Sequence, residues 1–193
     1  RLADHARRHP SVLAPLATRP DLPSPIAFEL FWSVPAELRR YLLSRFLTDS
    51  EMLTKILKIT QAMQVGEASG DTALKGRQGA DAVIARLRDG KLDDAASILG
   101  EMADIQAETA ARIIADRQGE PLAVVLKALG INRAKFAEIV GLLKQPDYGI
   151  IDGDRPTSEL QGVFDSLSFN KARVLLTYWD WAMMKSGPYA PAQ

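Results

Sequence analysis

The sequence contains no cysteine, only two histidines and no segment that is typical of a β-strand. The lack of cysteine excludes disulfides, cysteine nucleophiles and thiolate metal sites, and it suits a reducing compartment. No apolar run approaches the roughly 20 residues that a membrane-spanning helix needs, so we expect no membrane association. The sequence has 24 basic and 24 acidic residues, so its formal net charge is zero. Nucleic-acid-binding domains usually carry a basic excess, so this class of protein is disfavoured.

The two histidines raise the question of a metal site near the start of the chain. His5 and His9 are four residues apart, a spacing that zinc sites use on one face of a helix, and Asp4 is a candidate third ligand. Against a metal site, Pro10 follows His9 directly and would end the helix there. The sequence also lacks the glutamate that follows the first histidine in zinc-dependent hydrolases. A solvated terminal helix is therefore the favoured interpretation, and we predict neither a metal site nor a cofactor.

Apolar residues recur at helical spacing through most of the chain, with glycine or proline between the segments. Proline-punctuated repeats at residues 9–13 and 19–22 are typical of helical arrays. From residue 80 onward the connections are short, which favours antiparallel neighbouring helices. The pattern predicts an all-α fold, in which a HEAT-like helical repeat array of the α-solenoid type is followed by a helical bundle.

Four glycines between residues 66 and 79 predict the boundary between two domains, because glycine disfavours helix. They do not form a phosphate-binding loop, since Lys75 precedes Gly76 instead of following it. Further along, Asn132 and Ser158 are predicted to cap helices. The predicted organisation is a repeat array at 1–65, a linker at 66–79, a bundle at 80–185 and a tail at 186–193.

Two stretches resemble known families. Residues 20–23, Pro-Asp-Leu-Pro, followed later in the sequence by Leu-Arg-Arg-Tyr-Leu-Leu at 38–43, resemble variant leucine-rich and HEAT-like helical repeats. Residues 113–123, Ile-Ile-Ala-Asp-Arg-Gln-Gly-Glu-Pro-Leu-Ala, with Leu-Gly-Ile at 129–131, resemble the alphaproteobacterial family known as domain of unknown function 2336. Ala172-Arg173 followed by Trp179 fits the end of that family. This resemblance implies an all-helical, cytoplasmic bacterial protein, and it implies no activity and no catalytic residues.

Arginines are frequent in the first quarter of the chain. In a stack of helical repeats, equivalent positions line one surface, so these side chains are candidates for an anion-facing strip that contacts phosphates. Solvated helix faces with internal salt bridges are the favoured alternative. The arginines concerned are Arg7, Arg8, Arg19, Arg39, Arg40 and Arg45.

The segment Tyr-Trp-Asp-Trp at residues 178–181 is the most aromatic part of the chain. Residues two apart on a helix point away from each other, so Trp179 and Trp181 cannot both face one core. Trp179 shares a predicted core stripe with Leu175 and Met183. Trp181 is then predicted to lie near the surface, packed there or against a partner, since tryptophan is enriched at interface hot spots.

No catalytic set of serine, histidine and aspartate is evident, because both histidines lie at the N-terminal edge. The acidic loop around Asp152 does not have the residue spacing of a calcium-binding loop. We therefore predict a non-catalytic protein-interaction or regulatory module whose partner is another protein or a second copy of the chain. The alternative is nucleic-acid binding through the arginine strip. The residues predicted to be exposed contacts are Trp32, Arg39, Arg40 and Trp181. Because the chain opens at Arg1 and not at Met, we expect it to be a piece of a longer protein.

Overall fold

The computed structural model describes residues 9–48 and 71–184, which form helices joined by turns, with no strand among them. The prediction of an all-α fold is therefore confirmed for this part of the chain. The ten helices of the described residues are α1 Pro10–Ala17, α2 Ser24–Phe31, α3 Ala36–Thr48, α4 Asp71–Arg88, α5 Leu92–Ala103, α6 Ala107–Ile114, α7 Glu120–Ala128, α8 Arg133–Lys144, α9 Thr157–Ser166 and α10 Phe169–Met184.

The described residues fall into two compact units. The first unit contains residues 9–48 together with residues 178–184, and the second contains residues 71–177. Helix α10 therefore starts in the second unit and ends in the first. The sequence analysis predicted one bundle over residues 80–185, and the difference arises because Trp179 packs against Phe31 at the end of α2.

The first unit is built on α1, α2 and α3, each of which contacts the other two. Helix α1 starts at Pro10, where the missing N–H of proline costs no helical hydrogen bond. The helices bury their apolar sides against one another, as hydrophobic stripes in a small helical domain must. The buried apolar residues of 9–48 are Leu13, Leu16, Ala17, Leu22, Leu30, Phe31, Val34, Leu42 and Leu43.

The second unit is arranged around α7. Residues 120–126 of this helix are all buried, and only Lys127 among its nine residues is not. A helix that is apolar nearly all round belongs to the interior of its domain. Helices α6 and α9 contact α7, α8 packs on α9 and on α4, and α4 packs on α5, which continues into α6.

Residues 71–79 are helical and form the start of α4, so the predicted linker is wrong over this stretch. Tertiary packing overrides the low helix propensity of glycine here. A Cβ added at Gly79 would lie 2.2 Å from Met102 Sδ, so this glycine allows α5 to approach α4 closely. Residues 66–70, the remainder of that prediction, lie outside the described residues, as does the predicted tail.

The two predicted helix caps have different outcomes. Asn132 Oδ1 accepts a hydrogen bond of 2.9 Å from the backbone N–H of Lys135, so this cap is confirmed. Helix α9, in contrast, begins at Thr157 after Pro156, and no side chain caps it. The predicted cap at Ser158 is therefore wrong, because Ser158 already lies inside the helix, where its hydroxyl is not in the capping position.

We predict that alanine at Gly119 destabilises the protein more than alanine at Gly90. Both glycines have positive φ, 78° and 74°, which costs an L-residue about 1–2 kcal/mol. A Cβ at Gly119 would also lie 3.0 Å from Leu160 Cδ1, whereas one at Gly90 meets nothing within 4 Å. Urea denaturation should show a loss of about 2–4 kcal/mol for Gly119→Ala and about 1–2 kcal/mol for Gly90→Ala. Equal losses would contradict the packing described here.

Candidate protein-interaction surface

The first unit contains a cluster of three aromatic rings. The ring of Trp179 lies 5.0 Å from that of Phe31 and 5.0 Å from that of Trp32, while Phe31 and Trp32 meet edge to face at 5.7 Å. Phe31 and Trp179 are each only 1% exposed. These separations are those of favourable aromatic pairs, so the cluster joins the end of α2 to residues 178–184.

The other predicted aromatic contact residues lie around this cluster. Trp32 is half-buried at the C-terminal end of α2, and Trp181 is half-buried with its ring 5.5 Å from that of Tyr178. Burial raises the pKa of Tyr178 above its ordinary value. The predicted division of the two tryptophans is confirmed: Trp179 is in the core and Trp181 is nearer the surface. The predicted burial of Met183 is wrong, since this side chain is 37% exposed.

The large hydrophobic side chains that are exposed among the described residues all belong to the first unit. One lies on α1, one on α3 and two at the end of α10. Scattered apolar residues are ordinary on a protein surface, but their confinement to the smaller unit sets that unit apart. The four residues are Val12, Tyr41, Met183 and Met184.

Arg39 was predicted to be an exposed contact residue, and this is wrong. Its side chain is buried, with its Nε donating a hydrogen bond of 3.2 Å to the carbonyl oxygen of Val34. Its guanidinium carbon lies 5.2 Å from the centre of the Phe31 ring. The long apolar stem and planar head of arginine suit this position, because the stem packs while the head stacks on an aromatic face.

Other arginines of the predicted strip also serve the fold of the first unit. Arg45 donates hydrogen bonds of 2.5, 2.5 and 3.0 Å to the carbonyl oxygens of residues 19, 20 and 22, which ties α3 to the turn after α1. Arg19 forms a two-pronged contact with Asp21 at 2.5 and 2.9 Å, and this contact lowers the pKa of Asp21. Arg40 is exposed, as predicted, whereas Arg7 and Arg8 lie outside the described residues. Arg39 and Arg45 thus make contacts within the first unit.

The second unit contains a buried ion pair that the sequence analysis missed. Arg155 Nη2 lies 2.6 Å from Glu120 Oε1, and the two side chains are 7% and 0% exposed. The atoms are at ion-pair distance without the alignment of a hydrogen bond. Arg155 also lies 3.8 Å from Glu159 and donates from Nη1 to the carbonyl oxygen of Gln118. The pair fixes the loop before α9 to the start of α7.

Further hydrogen bonds join the same two loops. Asp116 Oδ1 accepts hydrogen bonds of 3.0 Å each from the backbone N–H groups of Gln118 and Gly119. The N–H of Asp152 donates to the carbonyl oxygen of Arg117 at 3.1 Å. These residues include the Asp-Arg-Gln-Gly-Glu sequence at 116–120, so that sequence forms the loop and helix start that the ion pair holds. Its signal in the sequence was a glutamate at the start of a helix whose other residues, apart from Lys127, are apolar.

The residues considered for a metal site lie at the start of the chain. His5 and Asp4 lie outside the described residues, and His9 is exposed. Within residues 9–48 and 71–184, no group of three histidine, aspartate or glutamate side chains is placed to hold a metal ion. In the same part of the chain, no helix combines the length and the apolar character that crossing a bilayer requires.

Comparison with known proteins places the chain in a family. No curated protein and no solved structure matches it. The family model described as "Uncharacterised protein conserved in bacteria (DUF2336)" matches residues 1–177, which is most of the chain. This match includes the whole of the second unit and ends immediately before Tyr178 and Trp179. The chain therefore belongs to the bacterial family DUF2336, as the resemblance of residues 113–123 implied.

Proposed function

We propose that this protein is a non-catalytic interaction module whose first unit binds another protein. The observation that carries this proposal is that, among the residues the structure describes, the exposed large apolar side chains all belong to that unit. Tyrosine and methionine are enriched at protein interfaces, and Tyr41 and Met184 are 40% and 52% exposed. The half-buried rings of Trp32 and Trp181 add aromatic surface of the kind that forms interface hot spots.

The buried charges of the second unit support a scaffold role for that unit. Glu120 and Arg155 contact each other, and Arg155 reaches a backbone carbonyl as well. A pair of this kind holds two loops in one geometry, which suits a rigid support for a binding unit.

The finer parts of the proposal concern repeat type and location. We propose that the N-terminal helices form a HEAT-like array, supported by the mutual contacts of α1, α2 and α3 across short connections. We also propose that the protein acts in an alphaproteobacterial cytoplasm. This is supported by membership of a family conserved in bacteria and by a composition without cysteine.

Nucleic-acid binding through the arginine strip is the less supported alternative. Arg39 is buried beside Phe31, Arg45 is bonded to three carbonyl oxygens, and Arg19 is paired with Asp21. The remaining described member of the strip is Arg40, which is exposed. Phosphate binding would require affinity that falls steeply with salt and weakens in Arg40→Glu. We expect neither, because Arg39 is buried and the guanidinium groups of Arg19 and Arg45 are engaged by partners within the first unit.

The test is capture of partners from bacterial lysate by the full chain and by a Tyr41→Ser/Met184→Ser variant, with quantitative mass spectrometry. We expect a discrete protein partner whose recovery falls about tenfold or more in the variant, since removing interface anchors costs more than 1 kcal/mol each. An Ala111→Ser variant, altered at an exposed position of the second unit, serves as the matched control.

Nuclease treatment of parallel samples separates the two candidate functions. A partner that survives nuclease and is lost only in the first-unit variant supports the protein-interaction proposal. A partner that disappears with nuclease would transfer support to nucleic-acid binding. Equal recovery with the wild type, the double variant and the Ala111→Ser control would place the binding surface elsewhere and refute this use of the first unit.

A further inference from the structure

Residues 178–184 belong to the first unit although they continue a helix that begins in the second. The first unit is therefore assembled from two distant stretches of chain, residues 9–48 and residues 178–184. The second stretch is docked on the first much as a bound helical peptide is docked on its receptor. The geometry thus contains both a docking surface and its occupant.

The occupant is anchored by one tryptophan. The ring of Trp179 lies 5.0 Å from the rings of both Phe31 and Trp32 and is almost fully withdrawn from solvent. Insertion of a large aromatic side chain from a helix into an apolar surface is a recurring mode of peptide recognition. The end of α2, with Phe31 and Trp32, therefore has the features of a receptor for a tryptophan-bearing helix.

The Trp179 contact depends on ring packing and not on a directional bond. Its Nε1 is buried and has no hydrogen-bond acceptor among the described residues. An N–H group buried in this way loses its hydrogen bond to water and gains none in return. Since the contact rests on ring packing with Phe31 and Trp32, an identical segment from another copy satisfies it equally well.

We propose that the surface formed by Phe31 and Trp32 is a docking site for residues 178–184 of a second copy, which replace the chain's own segment when two copies associate. Every copy carries both the surface and the segment, so an exchanged pair makes the same contacts as the single chain. Exchange of identical elements is a low-cost route to dimers for this reason. The inference rests on the proposed role of the first unit in binding, and it names a second copy as a partner.

The first test uses a synthetic, dye-labelled peptide of residues 169–184 as a stand-in for the second copy's segment. It is titrated into the full chain carrying Trp179→Ala, whose own anchor is missing. We expect saturable binding, with affinity about tenfold or more above that for the wild-type chain, where the site is filled. A peptide that itself carries Trp179→Ala should lose the same factor. A peptide with Trp181→Ala should bind nearly as well as the unmodified peptide.

Loss of folding in the Trp179→Ala chain does not remove the test. In that case the unmodified peptide should restore the near-ultraviolet circular dichroism of the first unit, and the Trp179→Ala peptide should not. Absence of both binding and restoration would overturn the proposal. Binding that is independent of Trp179 in the peptide would overturn it as well.

The second test concerns the dimer itself. Light scattering on the wild-type full chain should show a dimer fraction that grows with concentration and disappears in Trp179→Ala. A wild-type protein that stays monomeric up to millimolar concentration would overturn the exchange, even if the peptide binds. The Tyr41→Ser/Met184→Ser variant keeps Trp179, so loss of a lysate partner in that variant would leave the proposed function standing when the exchange fails.

Discussion

Alanine in place of Trp179 is expected to lower the free energy of unfolding of the first unit by about 3–5 kcal/mol. The side chain is 1% exposed and contacts two other rings, so its removal leaves a cavity in the small core of that unit. The remaining tryptophans, Trp32 and Trp181, both belong to the first unit. Urea denaturation followed by tryptophan emission therefore reports on this unit directly.

Trp181→Ala is the matched control for that substitution. Trp181 is half-buried and makes one ring contact, with Tyr178 at 5.5 Å, so we expect a loss of about 1 kcal/mol. Hydrogen exchange of the buried backbone of α7 should change less in Trp179→Ala than the emission transition does. A loss for Trp179→Ala no larger than that for Trp181→Ala would show that the aromatic cluster does not hold the first unit together.

Methionine in place of Arg155 is expected to destabilise the second unit by about 3–5 kcal/mol. The substitution leaves the carboxylate of Glu120 fully buried without its cationic partner. Glu120→Gln should cost less, because Arg155 keeps its contacts with Gln118 and Glu159. The double variant should be more stable than Arg155→Met alone, since it removes the buried carboxylate charge that has lost Arg155. Faster hydrogen exchange along α7 is the measurement.

Arg133→Met provides the comparison for an exposed ion pair. Arg133 Nε lies 3.2 Å from Asp165, with both side chains at least half exposed. Such pairs contribute about 0–1 kcal/mol, because water screens the charges. If Arg133→Met and Arg155→Met destabilised the protein equally, burial of the Glu120–Arg155 pair would not be the source of its effect.

The sequence predicted best those helices whose apolar face repeats regularly and whose ends carry glycine or asparagine. Helix α8 is an example: Asn132 caps it, and Phe136, Ile139 and Val140 are buried as their spacing predicts. Residues 71–79 were mispredicted because local propensity counts a glycine against helix. The benefit of Gly79 is a close approach to Met102, which is distant in sequence.

For the candidate surface, the sequence predicted the positions of the tryptophans but not the burial of Arg39. Residue spacing on a helix was enough to separate Trp179 from Trp181. The burial of Arg39 could not be predicted in the same way, because it depends on the position of Phe31 in a neighbouring helix. Likewise, the pairing of Glu120 with Arg155 joins two loops that only the folded chain brings together. Charge type alone does not indicate whether an arginine faces solvent or a ring.

The passage of α10 from the second unit into the first has a practical consequence for work on this family. Proteins are commonly expressed up to the last residue of sequence similarity, which here is Thr177. A chain shortened at that point keeps every matched residue, yet it lacks Trp179, the anchor of the aromatic cluster. The family match therefore ends before the residues of α10 that belong to the first unit. Expression boundaries are therefore better chosen from the packing of α10 than from the extent of the match.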